Sequence, residues 1–220
     1  MYARILTLIL AVGIGLAALA ALPRLAELRG PGNNRGYEPL QPLAYSHRLH
    51  AGELQIDCQY CHSGARRSRY AGIPPAEVCM GCHRYIRAPR SAVRAEELAA
   101  QEEGRPPRRV TSPELAKLYR ALALDEDLEP AAGGEGGEPQ PIRWARIHQL
   151  PDFVYFDHRP HLAAGVSCQK CHGPIETMER VRQVEDLSMG WCVDCHRDPL
   201  GGGGDAGRPV ASTDCVSCHY

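Results

Sequence analysis

The sequence of 220 residues is poor in the side chains that usually fill a protein core. It contains 2 Phe and 2 Trp, while 22 Gly and 18 Pro favour loops over long regular elements. It also has no excess of one charge: 25 basic and 26 acidic residues give a net charge of −1, which argues against a nucleic-acid partner. The hydrophobic fraction of 44% nevertheless excludes a disordered chain. We therefore expect part of the apolar core to come from something other than side chains.

Every one of the 10 cysteines belongs to a Cys-x-x-Cys pair that is followed at once by a histidine. Two thiols with this spacing lie one helical turn apart, so that each can form a thioether with a vinyl group on one haem edge. The adjacent histidine then binds the iron from the proximal side. The five units predict five covalently bound haem c groups, each held by two cysteines and a proximal histidine: Cys58, Cys61 and His62; Cys79, Cys82 and His83; Cys168, Cys171 and His172; Cys192, Cys195 and His196; Cys215, Cys218 and His219.

Three alternative roles for the paired cysteines fit less well. Disulfides between residues three apart would close small, strained loops and would give the histidine no role. Zinc sites of this kind use two Cys-x-x-Cys pairs per metal, so that five pairs would leave one over. A thioredoxin-like redox motif occurs once, in a βαβ setting that this sequence does not predict.

The other five histidines are the predicted distal ligands of the five irons. Four of them form two His-x-x-His pairs, each preceded by an aromatic residue, Tyr45 or Phe156, and each followed by two haem sites. This pattern predicts an internal duplication. The five predicted distal histidines are His47, His50, His148, His158 and His161.

The last distal ligand is open between two residues. His148 stands alone and is assigned by the count, whereas Met189 lies three residues before Cys192 and offers the thioether that also occurs as a distal ligand in cytochromes c. Either choice saturates all five irons. Because saturated, low-spin haems transfer electrons without binding a substrate, we expect electron transfer and no catalytic residue on this chain.

A run of 18 uncharged residues at 5–22 is flanked by Arg4 and Arg24. As an α-helix it would be ~27 Å long, close to the ~30 Å hydrocarbon core of a bilayer. We expect a retained transmembrane anchor; the alternative is a cleaved signal peptide that ends near Ala18-Leu-Ala20. Because c-type haem is attached outside the cytoplasmic membrane, we expect a single-pass membrane protein whose haem domain lies on the periplasmic side.

The motif spacing predicts four parts of the chain: an anchor at 1–30, a first haem module with two haems at 31–83, a haem-free insertion at 84–141, and a second haem module with three haems at 142–220. Helix start signals in the insertion predict helices from Ser91 to about Gln101 and from Ser112-Pro113 to about Leu124. A basic block at Arg105–Arg109 and an acidic block at Asp125–Glu138 either face solvent or bind a partner. The predicted fold is a multihaem cytochrome c of loops and short helices wrapped around five haems.

The unit of His-x-x-His followed by Cys-x-x-Cys-His resembles the class III multihaem cytochromes. In that family the first histidine of the pair binds the haem attached just after it, and the second binds a neighbouring haem. The resemblance therefore assigns His47 to the haem of His62 and His158 to the haem of His172. It also implies that the second histidine of each pair crosses to another haem site.

The whole chain resembles the pentahaem cytochrome c subunit of bacterial alternative complex III. The resemblance rests on the anchor, the haem sites split two and three, and the stretches His148-Gln-Leu-Pro-Asp152, Tyr155-Phe-Asp-His158 and Met189-Gly-Trp-Cys192. It implies a respiratory-chain subunit beside an iron–sulfur/molybdopterin-like subunit and multi-spanning, quinol-binding membrane subunits. Electrons from menaquinol would pass through the iron–sulfur clusters and these haems to a monohaem cytochrome c or another periplasmic acceptor.

Two other functions compete with this interpretation. A stand-alone, membrane-anchored multihaem quinol dehydrogenase would oxidise quinol itself, and remains the main alternative. A multihaem reductase such as a nitrite reductase is disfavoured by the small size, the lack of a lysine-ligated haem site and the saturated ligand count. Under the favoured interpretation the chain is an electron-transfer subunit and not an enzyme by itself.

Overall fold

The computed structural model describes residues 2–27, 34–125, 127–130, 137–198 and 211–220. Within these residues, short helices and loops are joined by two isolated β-bridges and no β-sheet. The prediction of loops and short helices is confirmed for this part of the chain. The α-helices are α1 (Tyr2–Glu27), α2 (Cys58–Cys61), α3 (Ala76–His83), α4 (Arg90–Glu102), α5 (Pro113–Ala121), α6 (His158–Ala163), α7 (Gln169–His172), α8 (Met189–Arg197) and α9 (Cys215–Cys218).

The N-terminal run of uncharged residues lies within helix α1. Large apolar side chains on this helix are exposed, among them Leu6, Ile9 and Ile14. In the part of the chain that the structure describes, no helix is long and apolar enough to cross a membrane. The anchor over residues 1–30 stays a prediction.

The Cys-x-x-Cys units form short helical turns because polar side chains cap their first N–H groups. The carboxylate of Asp57 accepts a hydrogen bond from the backbone N–H of Gln59 at the start of α2, at 2.7 Å. The hydroxyl of Ser188 does the same for the backbone N–H of Trp191 in α8, at 3.2 Å. A helical turn places the two thiols of a unit on one side, as attachment to one haem edge requires.

The two haem modules pack against each other reciprocally. A π-helical segment, Arg48–Glu53, includes the second histidine of the first pair and packs on the 3₁₀ turn Ile175–Thr177 of the second module. Helix α6 carries the second pair and packs on the 3₁₀ turn Ser63–Arg66 of the first module. Each turn follows a Cys-x-x-Cys-His unit. Equivalent segments of the duplicated sequence therefore make equivalent contacts.

Backbone hydrogen bonds join the modules at the same two places. The N–H of Arg48 donates to the carbonyl of Met178 at 2.9 Å, and the N–H of His158 donates to the carbonyl of Arg69 at 3.2 Å. Each donor belongs to a His-x-x-His segment, and each acceptor lies shortly after the haem motif of the other module. The duplication predicted from the sequence thus has a structural counterpart.

The insertion covers the second haem motif. Helix α5 packs on α3, where Met80, Leu118 and Tyr119 form a small buried core. The Tyr119 hydroxyl also donates a hydrogen bond to the backbone carbonyl of His83 at 2.6 Å. Helices α4 and α5 confirm the two helices predicted here. Helix α5 ends three residues earlier than predicted, because Ala123 adopts a left-handed backbone conformation with φ of 54°.

Two arginines of the basic block form ion pairs within the insertion, one with helix α4 and one with the acidic block. A guanidinium nitrogen of Arg105 lies 2.5 Å from the Glu96 carboxylate, and one of Arg109 lies 2.7 Å from the Asp127 carboxylate. The Arg109–Asp127 pair is exposed, and such ion pairs contribute little to stability. These contacts lie within the chain and supply no evidence for a partner.

Candidate haem sites

The first histidine of each His-x-x-His pair faces the proximal histidine of the motif that follows it. The ring centres of His47 and His62 are 6.5 Å apart, with an angle of 3° between the ring planes. Those of His158 and His172 are also 6.5 Å apart, with an angle of 6°. One metal bound by two imidazole nitrogens at ~2 Å each would separate the ring centres by ~6.3 Å. Both spacings fit a single iron between the rings.

The second histidine of each pair crosses to another motif. His50 faces His83 with ring centres 6.1 Å apart and planes at 62°. His161 faces His196 at the same 6.1 Å, with planes at 34°. The structure therefore brings together four pairs of predicted ligands, in the arrangement that the resemblance to class III cytochromes implies.

Backbone carbonyls orient six of these histidines. When Nδ1–H donates to a carbonyl, Nε2 is the unprotonated nitrogen and is free to bind a metal. The six Nδ1–carbonyl contacts are His50 to Ser46 at 2.8 Å, His62 to Gly72 at 2.6 Å, His83 to Ile86 at 2.8 Å, His158 to Arg69 at 2.7 Å, His161 to Asp157 at 2.8 Å and His196 to Ser212 at 2.7 Å.

His47 is oriented differently, because its Nδ1 is buried without a hydrogen-bond partner among the described residues. The pKa of His47 is lowered to about 4, chiefly because the ring is buried and secondly because His62 and His50 are close to it. At neutral pH the ring is uncharged, and a ring nitrogen keeps the lone pair that metal binding needs.

Each His-x-x-His pair is packed against the aromatic residue that precedes it. Tyr45 meets the first histidine of its pair edge-on, at 4.9 Å and 83°, and stacks on the second at 4.4 Å and 22°. Phe156 likewise meets His158 edge-on, at 4.9 Å and 87°, and stacks on His161 at 4.8 Å and 29°. The two aromatic residues hold the two histidine pairs in nearly identical geometry.

No two of the ten cysteines form a disulfide, and cysteines of different motifs interact electrostatically. Burial, followed by interaction with the thiols of the fourth motif, raises the pKa of Cys171 to about 11. These electrostatic interactions, together with a side-chain hydrogen bond between Cys58 and Cys168, link the motifs in the order second, first, third, fourth and fifth. The neighbours are Cys61 with Cys79 and Cys82, Cys58 with Cys168, Cys171 with Cys192 and Cys195, and Cys192 with Cys218.

The fifth motif is tied to the start of the second module. The backbone N–H of Tyr155 donates to the carbonyl of Cys218 at 2.7 Å, and Val154 forms a β-bridge with His219. The ring of Phe153 stacks on His219 with centres 5.7 Å apart. No histidine ring stacks on His219 in the described part of the chain. This site therefore differs from the other four.

One candidate for the last distal ligand, His148, contacts the proximal histidine of the third motif and not that of the fifth. His148 lies behind His172, with its Nε2 3.3 Å from the His172 Nδ1 and its ring at 81° to the His172 ring. Burial lowers the pKa of His148 to about 4, so that its ring is uncharged at neutral pH. Met189 is 69% exposed at the start of α8, one turn before Cys192, whose thiol neighbours that of Cys218.

Apolar side chains beside the motifs are exposed. Tyr85 and Ile86, just after the second motif, are 80% and 61% exposed, and Val216, inside the fifth, is 87% exposed. A porphyrin would cover such apolar surface. Within the described residues, no group of three or more His, Cys, Asp or Glu could hold a metal ion by itself. Paired cysteines, facing imidazoles and apolar surface fit haem c at four sites, and the fifth has the cysteines and the predicted proximal histidine.

The backbone acceptors of the site could not be found from the sequence. Gly72, Ile86, Arg69 and Ser212 orient histidines through their carbonyl oxygens, which every residue type possesses. Their positions depend on how the chain folds around each motif. Only the aromatic residues before each pair gave a sequence signal of a supporting role.

Residues 154–220 match the family model described as cytochrome c7 and related cytochrome c, a range that includes the third, fourth and fifth motifs. The chain is also similar to the multiheme cytochrome c subunit of a menaquinone reductase from Nitratidesulfovibrio vulgaris (strain Hildenborough), with 24% identity over 180 residues. These residues are 82% of this chain and 57% of the relative, so the chain spans little more than half of the relative's length. Both similarities support the interpretation of the chain as a multihaem cytochrome c.

Proposed function

We propose that the chain is a five-haem c-type cytochrome that relays electrons and performs no substrate chemistry of its own. The proposal rests on the four facing histidine pairs, whose ring centres are 6.1 to 6.5 Å apart. When bound, each haem supplies an iron that alternates between the ferric and ferrous states. The cysteines would hold the haem edges, and the two facing histidines at each of these four sites would both bind the iron. A substrate would then find no free position on the metal.

For the fifth site, Met189 is the proposed distal ligand and His219 the proximal one. His148 already contacts the Nδ1 side of His172, whereas Met189 is exposed and lies one helical turn from a cysteine that neighbours the fifth motif. A thioether raises the potential of a cytochrome haem relative to a second histidine. Met189→Leu should therefore abolish one high-potential step in a redox titration and leave four steps unchanged. A titration identical to that of the unaltered protein would assign Met189 to packing instead.

The order of the thiols gives the proposed order of the relay: second, first, third, fourth and fifth motif. The two ends of this series are the second motif, which helix α5 covers, and the fifth motif, near the carboxyl terminus. The first and third motifs meet through Cys58 and Cys168, where the two modules join. Electrons that enter at one end would pass this junction to leave at the other.

The proposed setting is a membrane-bound complex that exchanges electrons with the quinone pool. It is supported by the similarity to the cytochrome subunit of a menaquinone reductase and by the resemblance to the pentahaem subunit of alternative complex III. The partners would be an iron–sulfur/molybdopterin-like subunit, multi-spanning quinol-binding subunits, and a monohaem cytochrome c or another periplasmic acceptor. The resemblance implies electron flow from quinol, whereas the relative's name denotes reduction of menaquinone. A relay subunit serves either direction.

The proposed location is the outer face of the cytoplasmic membrane, with the uncharged run at residues 5–22 as a single-pass anchor. Supporting this are the 18 residues without a charge and the exposed apolar side chains of α1. The location can be tested by extraction of native membranes with carbonate and then with detergent. An anchored protein is released only by detergent, and release by carbonate alone would contradict the anchor.

The function itself is tested on the native protein. Mass spectrometry and the pyridine haemochrome spectrum should give five covalent haems per chain, and carbon monoxide should not bind the reduced protein. A high-spin haem that binds carbon monoxide would contradict a pure relay. Co-purification with stoichiometric multi-spanning subunits would support the complex, whereas reduction by quinol of the isolated chain would favour a stand-alone quinol dehydrogenase.

A further inference from the structure

We propose that His148 is a positioning residue for the third haem site, where it accepts a hydrogen bond from the proximal ligand His172 and lowers the potential of that haem. The inference rests on the proposed function, since it presupposes a haem at this site. It gives His148 a role that differs from direct binding of an iron.

The contact has the geometry of a side-chain hydrogen bond. Nε2 of His148 lies 3.3 Å from Nδ1 of His172, and the two rings are nearly perpendicular, at 81°. The ring of His172 also lies almost parallel to that of His158, at 6°, with ring centres 6.5 Å apart. If Nε2 of His172 binds iron toward His158, its proton resides on Nδ1, which then donates to His148.

At the third site, the group that contacts Nδ1 of the proximal histidine is a side chain and not a backbone carbonyl. At six other predicted ligands, Nδ1 contacts a backbone carbonyl at 2.6 to 2.8 Å. A carbonyl cannot be exchanged by substitution, whereas a side-chain acceptor can be strengthened, weakened or removed. Among the seven described histidines with an Nδ1 contact, His172 is therefore the one whose acceptor can be replaced by substitution.

The direction of the effect follows from the hydrogen bond. Donation by Nδ1–H shifts electron density toward Nε2 and makes it a better donor to iron, which favours the ferric state. Loss of the acceptor leaves a polar N–H group without a partner in a half-buried place and weakens that donation. The potential of the third haem should then rise. In the proposed order of transfer this haem lies in the middle, so that its potential sets how easily electrons pass between the modules.

The experiment compares His148→Phe with His148→Gln in the full-length, haem-loaded protein. Phenylalanine keeps an aromatic ring but has no acceptor, whereas glutamine offers a carbonyl oxygen like those at the other sites. His148→Leu serves as the acceptor-free variant if the phenylalanine protein loses haem. The readouts are a spectroelectrochemical titration, haem content, and carbon monoxide binding by the reduced protein.

The expected result is five low-spin haems in both variants, with one of five potentials raised in His148→Phe and near the original value in His148→Gln. A new carbon monoxide-binding haem in His148→Phe would overturn the inference, because His148 would then be an iron ligand. Five unchanged potentials would also overturn it and leave His148 with a packing role. Absence of covalent haem from the unaltered protein would instead refute the proposed function.

Discussion

Replacement of His50 by alanine is expected to remove one particular electron paramagnetic resonance (EPR) signal from the oxidised protein. The reason lies in the angle between the two imidazole planes at each of the four sites that have facing histidines. Each imidazole donates π density into one of two iron d orbitals, so that parallel rings act on the same orbital and perpendicular rings compensate each other. Parallel rings thus give rhombic spectra, and strongly rotated rings give spectra with a single large g value.

The structure gives the four angles from which these signals can be predicted. Since the combined orbital splitting follows the cosine of the angle, it is nearly complete for the pairs at 3° and 6°, about four fifths at 34° and about half at 62°. We therefore expect two rhombic signals, one intermediate signal, and one signal with a large g value. The last belongs to the haem between His50 and His83.

The assay is low-temperature EPR of the fully oxidised protein, with His47→Ala as the matched control. His50→Ala should abolish the signal with the large g value and add a high-spin signal, since one axial position becomes open. His47→Ala should abolish one rhombic signal instead and leave the large g value in place. The two histidines belong to the same pair, so the comparison tests which haem each one serves.

Two results would refute this reasoning. If His50→Ala removed a rhombic signal and preserved the large g value, the second histidine of the pair would not cross to the second motif. If the unaltered protein lacked any signal with a large g value, the 62° between His50 and His83 would not exist in the haem-loaded protein.

Two further predictions concern stability. A methyl group on Gly52 would lie 2.3 Å from the carbonyl oxygen of Glu176 in the second module, so Gly52→Ala should cost about 1 to 3 kcal/mol, or roughly 2 to 12 °C in Tm. Gly190→Ala, with its nearest contact at 3.8 Å, is the control whose Tm should not fall. The hydrogen bond from Arg105, followed by that from a backbone N–H, lowers the pKa of Glu96 to about 2. Because the folded-state pKa is the lower one, this stabilisation is present above the ordinary Glu pKa and is lost as pH falls through about 2. Stability measured as a function of pH should show Glu96→Gln to be less stable than the original protein at neutral pH. The two proteins should be equally stable at the acid end of the range. Equal stability at neutral pH would contradict the prediction.

The local part of each site could be predicted because its geometry follows from spacing. A Cys-x-x-Cys-His unit needs one helical turn to bring two thiols to the same edge, and the helices at Cys58–Cys61 and Cys215–Cys218 supply that turn. The His-x-x-His pairs were found from their repetition beside the aromatic residues Tyr45 and Phe156. The two helices of the insertion followed from capping signals such as Ser112, whose hydroxyl accepts from the N–H of Leu115.

The position of His148 could not be predicted in the same way. The count of ten histidines gave one distal ligand to each proximal one, and His148 was the one that remained. Its neighbour His172 is 24 residues away in the sequence, and no repeat or period connects the two. Only the tertiary structure shows that His148 lies behind a predicted iron ligand and not opposite one. A correct count of ligand-type residues is therefore weaker evidence than a repeated motif.

The reciprocal packing makes the two copies of the duplicated unit depend on each other. His158, a predicted ligand of the second module, donates both its backbone N–H and its Nδ1–H to the carbonyl of Arg69 in the first module, 89 residues earlier. The segment that holds His50 packs in turn on the 3₁₀ turn Ile175–Thr177 of the second module. Each module thus supports a predicted distal histidine of the other, and a single copy would leave the Nδ1–H of His158 without its acceptor. The same junction brings Cys58 next to Cys168. The contact that would complete the predicted ligand sets is therefore also the place where the proposed electron path passes from one module to the other.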